Sequence, residues 1–97
     1  MRIFWDPAKN ETNERKNGIS FEQASTLFSS GLDYLELYDP RHSDHEDRYI
    51  AVGPVEGRVV VVVWTEPEED VMRIISARYA TVRETNLFYV ETGRANE

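Results

Sequence analysis

The 97-residue chain contains no cysteine. A disulfide framework, a thiolate metal site and a thiol nucleophile are therefore excluded. No run of about 18 apolar residues is present, so no spanning helix is expected. The opening Met1-Arg-Ile-Phe-Trp-Asp lacks the basic, apolar and small-residue regions of a secretory signal, so none is expected. Positive charge is scarce: 11 basic residues face 18 acidic ones, a formal charge of −7. That balance argues against a generic nucleic-acid binder, whose footprint is usually basic. The chain also lacks a Gly-rich phosphate loop and a Gly-x-Ser-x-Gly elbow. Nucleotide-cofactor and serine-hydrolase chemistries are not expected. Internal repeats and low-complexity segments are missing too.

What is present reads as one small α+β domain, residues 1–93, followed by a short fraying tail, 94–97. Arg2 to Trp5 suits an opening strand. Asp6-Pro7 suits a helix start, because Asp caps orphan N–H groups and Pro tolerates the first helical position. The polar stretch Ala8 to Asn17 ends at Gly18 and reads as a solvated helix or an ordered loop. Ser20-Phe21-Glu22-Gln23 is a capping box, and Phe21, Ala24, Leu27 and Phe28 follow at helical spacing up to Gly31. The period then shortens. Asp33–Tyr38, Arg48–Val55, Arg58–Thr65 and Val71–Arg78 read as strands joined by tight turns, an antiparallel meander. Val59 to Val63 are five consecutive valines, which suits a central strand covered on both faces. Thr81-Val82-Arg83-Glu84 is a second capping box, opening a helix that Gly93 would stop.

Three segments carry candidate chemistry. In Arg73-Ile74-Ile75-Ser76-Ala77-Arg78, strand alternation puts Arg73 with Ile75, and Ile74 with Ser76 and Arg78. Ser76 and Arg78 beside a helix N-terminus would suit a phosphate. The competing reading pairs these arginines with the acidic turn Glu68, Glu69 and Asp70. Lys16, near a helix end, either complements the helix dipole or meets a phosphate. His42-Ser43-Asp44-His45 has two histidines and a carboxylate, which could serve a divalent ion or, more simply, form a solvated loop. A third anchor is missing there, so neither a metal nor a cofactor is expected. Nine of the 11 basic residues are Arg, the better side chain for planar recognition of phosphate.

The order of the motifs adds to this. Phe4-Trp5-Asp6, Lys9, Asn13 and Lys16-Asn17-Gly18-Ile19-Ser20-Phe21-Glu22-Gln23-Ala24 come first. Asp39-Pro40-Arg41-His42-Ser43, Glu46, Arg48, Gly53, Gly57-Arg58, the Arg73–Arg78 run, Ala80, Glu84 and Tyr89 follow. Across Phe4 to Tyr89 the chain resembles the BrnT family of type II toxin–antitoxin ribonucleases. The resemblance implies a compact fold similar to RelE-type ribonucleases, with two helices before the sheet and one after it. It implies a cytoplasmic endoribonuclease that blocks translation. It also implies a BrnA-like antitoxin with a ribbon-helix-helix part, through which alone operator DNA would be met. Cleavage of this kind uses the RNA 2′-hydroxyl as nucleophile and calls for no metal. Lys16, Glu46, Arg73 and Arg78 are then the expected catalytic residues. His42, Arg48, Arg58, Ser76 and Asn17 are the expected RNA contacts, with His42 a second candidate for the base.

One position departs from the family pattern, which usually has Lys-His-Gly where this chain has Lys16-Asn17-Gly18. Asn cannot exchange a proton near neutral pH. A weakened binding module that keeps the antitoxin interface is therefore the alternative reading. A metal-dependent hydrolase built on His42, Asp44 and His45 is a more distant one. The acidic balance leans toward the binding module but does not exclude cleavage. Six acids lie between Asp33 and Asp47 and four between Glu66 and Asp70. The basic residues that matter are few and placed apart from these runs, so a small Arg-lined site can coexist with net acidity.

Overall fold

The computed structural model describes residues 1–42 and 46–93, with the side chain of His42 outside it. The elements run β1 (Arg2–Phe4), α1 (Pro7–Asn17), α2 (Phe21–Ser29), β2 (Leu35–Tyr38), β3 (Asp47–Val55), β4 (Arg58–Glu68), β5 (Val71–Tyr79) and α3 (Val82–Thr92). A single 3-10 turn, Pro40–His42, precedes β3. The helix termini follow the sequence signals. The Asp6 carboxylate accepts from the Ala8 N–H at 2.9 Å, and Gly18 closes α1 in the left-handed region at φ 74°. Both capping boxes form, Ser20 with Gln23 and Thr81 with Glu84.

The sheet has five strands in the order β1-β5-β4-β3-β2. Strands β2 to β5 make the expected antiparallel meander. β1 joins in parallel to β5, which makes the sheet mixed. α1 and α2 cover one face and α3 the other. On the first face Ile19, Phe21, Ala24 and Leu27 pack with Val60, Val62, Trp64, Met72 and Ile74. On the second, fully buried Phe88 of α3 packs on Val52, Val59 and Val61. The valine run thus serves both layers, because alternate residues of a strand face opposite ways. Gly53 lets α2 press onto β3: a Cβ there would stand 2.6 Å from both Leu27 Cδ1 and Tyr34 Cβ. Trp5 belongs to the core layer, edge-on to Phe21 with ring centroids 6.2 Å apart.

α1 is attached differently. Its only buried residue is Asn13. β1 is short and pairs only with Val71 to Arg73, so the rest of the β5 edge is left open to α1. Asn13 fills the gap as a strand would. Its Nδ2 donates to the carbonyls of Ala77 and Ile19, both at 2.9 Å, and its Oδ1 accepts from the Ala77 N–H at 3.1 Å. Asn17 Nδ2 donates to the same Ala77 carbonyl at 3.0 Å and to Asn13 Oδ1 at 3.2 Å. Asn10 Oδ1 accepts from the Phe21 N–H at 2.7 Å. Residues 10, 13 and 17 share one helix face. Amide hydrogen bonds, which satisfy an otherwise orphaned sheet edge, take the place of an apolar stripe.

The register of β5 against β4 corrects one expectation. Val63 pairs with Ser76 but Trp64 pairs with Ile74, so Ile75 is an extra residue in a β-bulge. The bulge resets the alternation. Arg73, opposite Thr65, now shares a face with Ser76, opposite Val63, and Arg78, opposite Val61. Simple alternation would have put Arg73 on the other side. Arg48, also opposite Thr65 through β3, lies on this face too.

Candidate functional site

The α3-covered face of the sheet therefore carries Arg48 on β3 and Arg73, Ser76 and Arg78 on β5. Arg73 forms an ion pair with Glu46, whose side chain is 26% exposed. Beneath this cluster Thr65 is buried, and its Oγ1 has no hydrogen-bond partner among the described residues. At the far end of β5, Arg78 is gripped by Glu84 through both terminal nitrogens, at 2.7 and 2.8 Å. The hydrogen bonds from Arg78 hold the Glu84 carboxyl well below its usual range, at about 2, although partial burial opposes the shift. The same contact raises the Arg78 guanidinium pKa. Neither arginine pairs with the acidic turn. Among the described residues that turn meets Arg2, whose guanidinium lies 3.8 Å from Glu68. The N-terminus of α3 is partly taken up within the helix itself: the Glu84 carboxylate accepts from the Thr81 N–H, Thr81 Oγ1 accepts from the Glu84 N–H, and the Glu84 charge offsets the dipole there.

A groove of about 490 Å³ opens between α1 and the β5 edge. Lys9, Thr12, Lys16, Asn17, Ile75 and Ser76 are among its lining residues. Lys16 sits in the last turn of α1, exposed to this groove. Ser76 belongs to both places: it lines the groove, and its strand position gives it to the arginine-bearing face. The bulge at Ile75 brings this about at the point where β1 has ended and the edge is open.

The expected site residues thus fall into three sets. Lys16, Asn17 and Ser76 share the groove, while Glu46, Arg48, Arg73, Ser76 and Arg78 share the adjoining sheet face. Arg58 stands apart. It begins β4, seven residues from Thr65, roughly 23 Å along a strand. Its guanidinium lies 3.6 Å above the Tyr79 ring, a cation–π contact on the α1 and α2 side. The side chain of His42, and residues 43–45 with Asp44 and His45, lie outside the described residues. Among the described residues no three His, Asp or Glu side chains are grouped to hold a metal ion. Sequence reasoning missed Asn13 as the group that seats α1, and Glu84 as the partner of Arg78. The spacing of Asn10, Asn13 and Asn17 on one helix face was the available signal for the first.

A second, apolar groove of about 260 Å³ lies on the arginine-bearing face. Leu35, Leu37, Ile50, Val52, Val61 and Leu87 contribute to it, and Arg78 and Glu84 form part of its wall. Leu37 and Leu87 are more than half exposed. Among the described residues no helix is long and apolar enough to cross a membrane.

Comparison with known proteins bears on the family and the fold. Residues 5–84 match the family model described as the ribonuclease toxin BrnT of type II toxin–antitoxin systems. Among solved structures, the chain is similar to the 1.1 Å crystal structure of the Brucella abortus ribonuclease toxin BrnT. Identity is 28% and the TM-score 0.63, over 84% of this chain and 97% of that one. A search of curated protein sequences finds no match. The family match spans most of the chain, including every candidate site residue, and the protein accordingly belongs to the BrnT ribonuclease-toxin family of type II toxin–antitoxin systems.

Proposed function

We propose that this chain is a metal-independent endoribonuclease that cleaves RNA by attack of a 2′-hydroxyl on the adjacent phosphate, and so inhibits translation in the cytoplasm. The meeting of the Lys16 groove and the arginine-bearing face at Ser76 is the observation that carries this reading. In the reaction the 2′-oxygen bonds to phosphorus and the bond from phosphorus to the 5′-oxygen breaks. A base takes the 2′ proton, cations stabilise the crowded phosphorane, and the 5′-oxygen gains a proton. Glu46 serves as the base. Arg73, its ion-pair partner, carries the phosphorane charge. Ser76 donates to a phosphate oxygen, and Lys16 supports the leaving oxygen from across the groove. His42 is the second candidate for the base.

Arg73 and Arg78 stand roughly 15 Å apart along β5, too far for one phosphate. Arg78 therefore holds a neighbouring phosphate and fixes the strand, as cations spaced along a groove do for single-stranded nucleic acid. Arg48 adds charge beside Arg73. Arg58, engaged with Tyr79, plays at most a peripheral part.

The partner proposed is a BrnA-like antitoxin with a ribbon-helix-helix part, through which the complex meets operator DNA. Its toxin-binding segment is apolar with basic flanks. The exposed leucine-lined groove on a chain of charge −7 favours such a segment, and the groove wall at Arg78 lets it overlap the RNA path.

Asn17 favours a second reading, a module with reduced cleavage that keeps the antitoxin surface. Its amide is spent on Ala77 and Asn13 and has no proton to exchange. One experiment separates the two. The purified chain is incubated with single-stranded RNA beside Lys16→Ala, Arg73→Ala, Ser76→Ala and Asn17→His. The ribonuclease reading expects cleavage that the three Ala or charge-removing variants abolish. An inert parent chain with an active Asn17→His variant establishes the second reading.

A further inference from the structure

We propose that Glu84 is a positioning residue for RNA cleavage: it aims Arg78. The inference rests on the reading of Arg78 as an RNA-phosphate contact. It starts from a comparison within the chain. The two capping boxes share the same pair of reciprocal bonds. In α2, Gln23 Oε1 accepts from the Ser20 N–H at 2.9 Å while Gln23 N–H donates to Ser20 Oγ at 3.0 Å. In α3, Glu84 Oε1 accepts from the Thr81 N–H at 2.8 Å while Glu84 N–H donates to Thr81 Oγ1 at 3.1 Å. A side-chain oxygen at this position is all the cap needs, and α2 obtains it from a neutral amide. A carboxylate also suits the helix dipole, but any first-turn acid supplies that, as Glu22 does in α2. The cap therefore does not account for the charge at position 84.

Arg78 accounts for it. Both carboxylate oxygens of Glu84 face both terminal nitrogens of Arg78, an end-on fork. Arg78 Nη1 also reaches the Tyr79 carbonyl at 3.4 Å. This grip leaves the side edge of the guanidinium, Nε–H with one outward N–H, as the edge able to take a second anion in bidentate fashion. Glu84 itself is rigidly held. It accepts from its own cap, and Phe88 on the next turn of α3 is fully buried against the sheet. A long side chain at a strand end, 45% exposed, is thereby fixed before RNA arrives. Ordering it in advance spares that cost at binding.

The test uses the full chain and four versions of it: parent, Arg78→Ala, Glu84→Gln and the double variant. Glu84→Gln keeps the cap, on the precedent of Gln23, so its thermal midpoint near neutral pH should fall by only a few degrees. RNA cleavage should fall about tenfold, in the same parameter, kcat or KM, that Arg78→Ala alters. In the Arg78→Ala background the change at position 84 should have no further effect. If turnover is too slow to follow, the same cycle is measured on affinity for single-stranded RNA. Unchanged or increased activity in Glu84→Gln, with activity lost in Arg78→Ala, overturns the positioning role alone. An unaffected Arg78→Ala overturns the reading of Arg78, and this inference with it.

Discussion

Replacing Asn13 by Ala tests how α1 is held and, through it, where Lys16 sits. Asn13 is 8% exposed and makes three hydrogen bonds across the gap between α1, the loop after it and β5. Each such bond contributes about 0.5–1.5 kcal/mol net, and a buried group left without a partner costs about 1–3 kcal/mol. Asn17 continues to serve the Ala77 carbonyl, so the full penalty falls on the Ala77 N–H and the Ile19 carbonyl. The expected loss is about 2–4 kcal/mol, a large share of the roughly 5–15 kcal/mol that keeps a small domain folded. For a chain of this size that corresponds to a fall of about 10–20 °C in thermal midpoint. Urea unfolding followed by Trp fluorescence and far-ultraviolet circular dichroism measures it. Asn13→Asp should be worse than Asn13→Ala, because a carboxylate would face two carbonyls with no proton to donate. A loss below about 1 kcal/mol for Asn13→Ala, or an Asp variant as stable as the parent, would refute the view that amides seat this helix.

Other perturbations test the remaining layers. Gly53→Ala should destabilise by about 1–3 kcal/mol, since its Cβ would lie 2.6 Å from Leu27 and Tyr34, and urea midpoints would register it. Phe88→Ala should cost about 3–5 kcal/mol and loosen α3, which hydrogen exchange at the α3 amides would show. Glu84 gives an acid signature. Its folded pKa, about 2, lies below the ordinary 4.5, so its contribution is complete above about 4.5 and is lost as pH falls toward 2. The stability gap between parent and Glu84→Gln should therefore be widest near neutral pH and close on acidification; a gap constant from pH 6 to pH 2.5 would contradict the assignment.

Much of the scaffold is legible in short-range patterns, and the reason is that caps and turns are local. Asp6-Pro7, the two capping boxes and the left-handed glycines at 18 and 93 each act within four residues, and each forms as read. Val59 to Val63 announce a two-sided strand for the same reason, since alternation needs no knowledge of neighbours. The parallel pairing of β1 and the bulge at Ile75 depend on partners distant in sequence, so no local pattern encodes them. The bulge matters most, because one extra residue moves Arg73 to the face of Ser76 and Arg78. α1 is hard to read because hydrophobic periodicity looks for apolar contacts, and its attachment is made by three asparagines. The charged residues of the site were visible as residue types. Their partners were not: Glu46 meets Arg73, and Glu84 rather than the acidic turn meets Arg78.

The chemistry of the cut ends tests the central claim most directly. Purified chain is incubated with an end-labelled single-stranded RNA in excess EDTA, and the product termini are identified by mass spectrometry. Attack by the 2′-hydroxyl predicts a 2′,3′-cyclic phosphate on one fragment and a 5′-hydroxyl on the other, with both lost in Arg73→Ala. Fragments ending in 3′-hydroxyl and 5′-phosphate, or cleavage that EDTA abolishes, would contradict it.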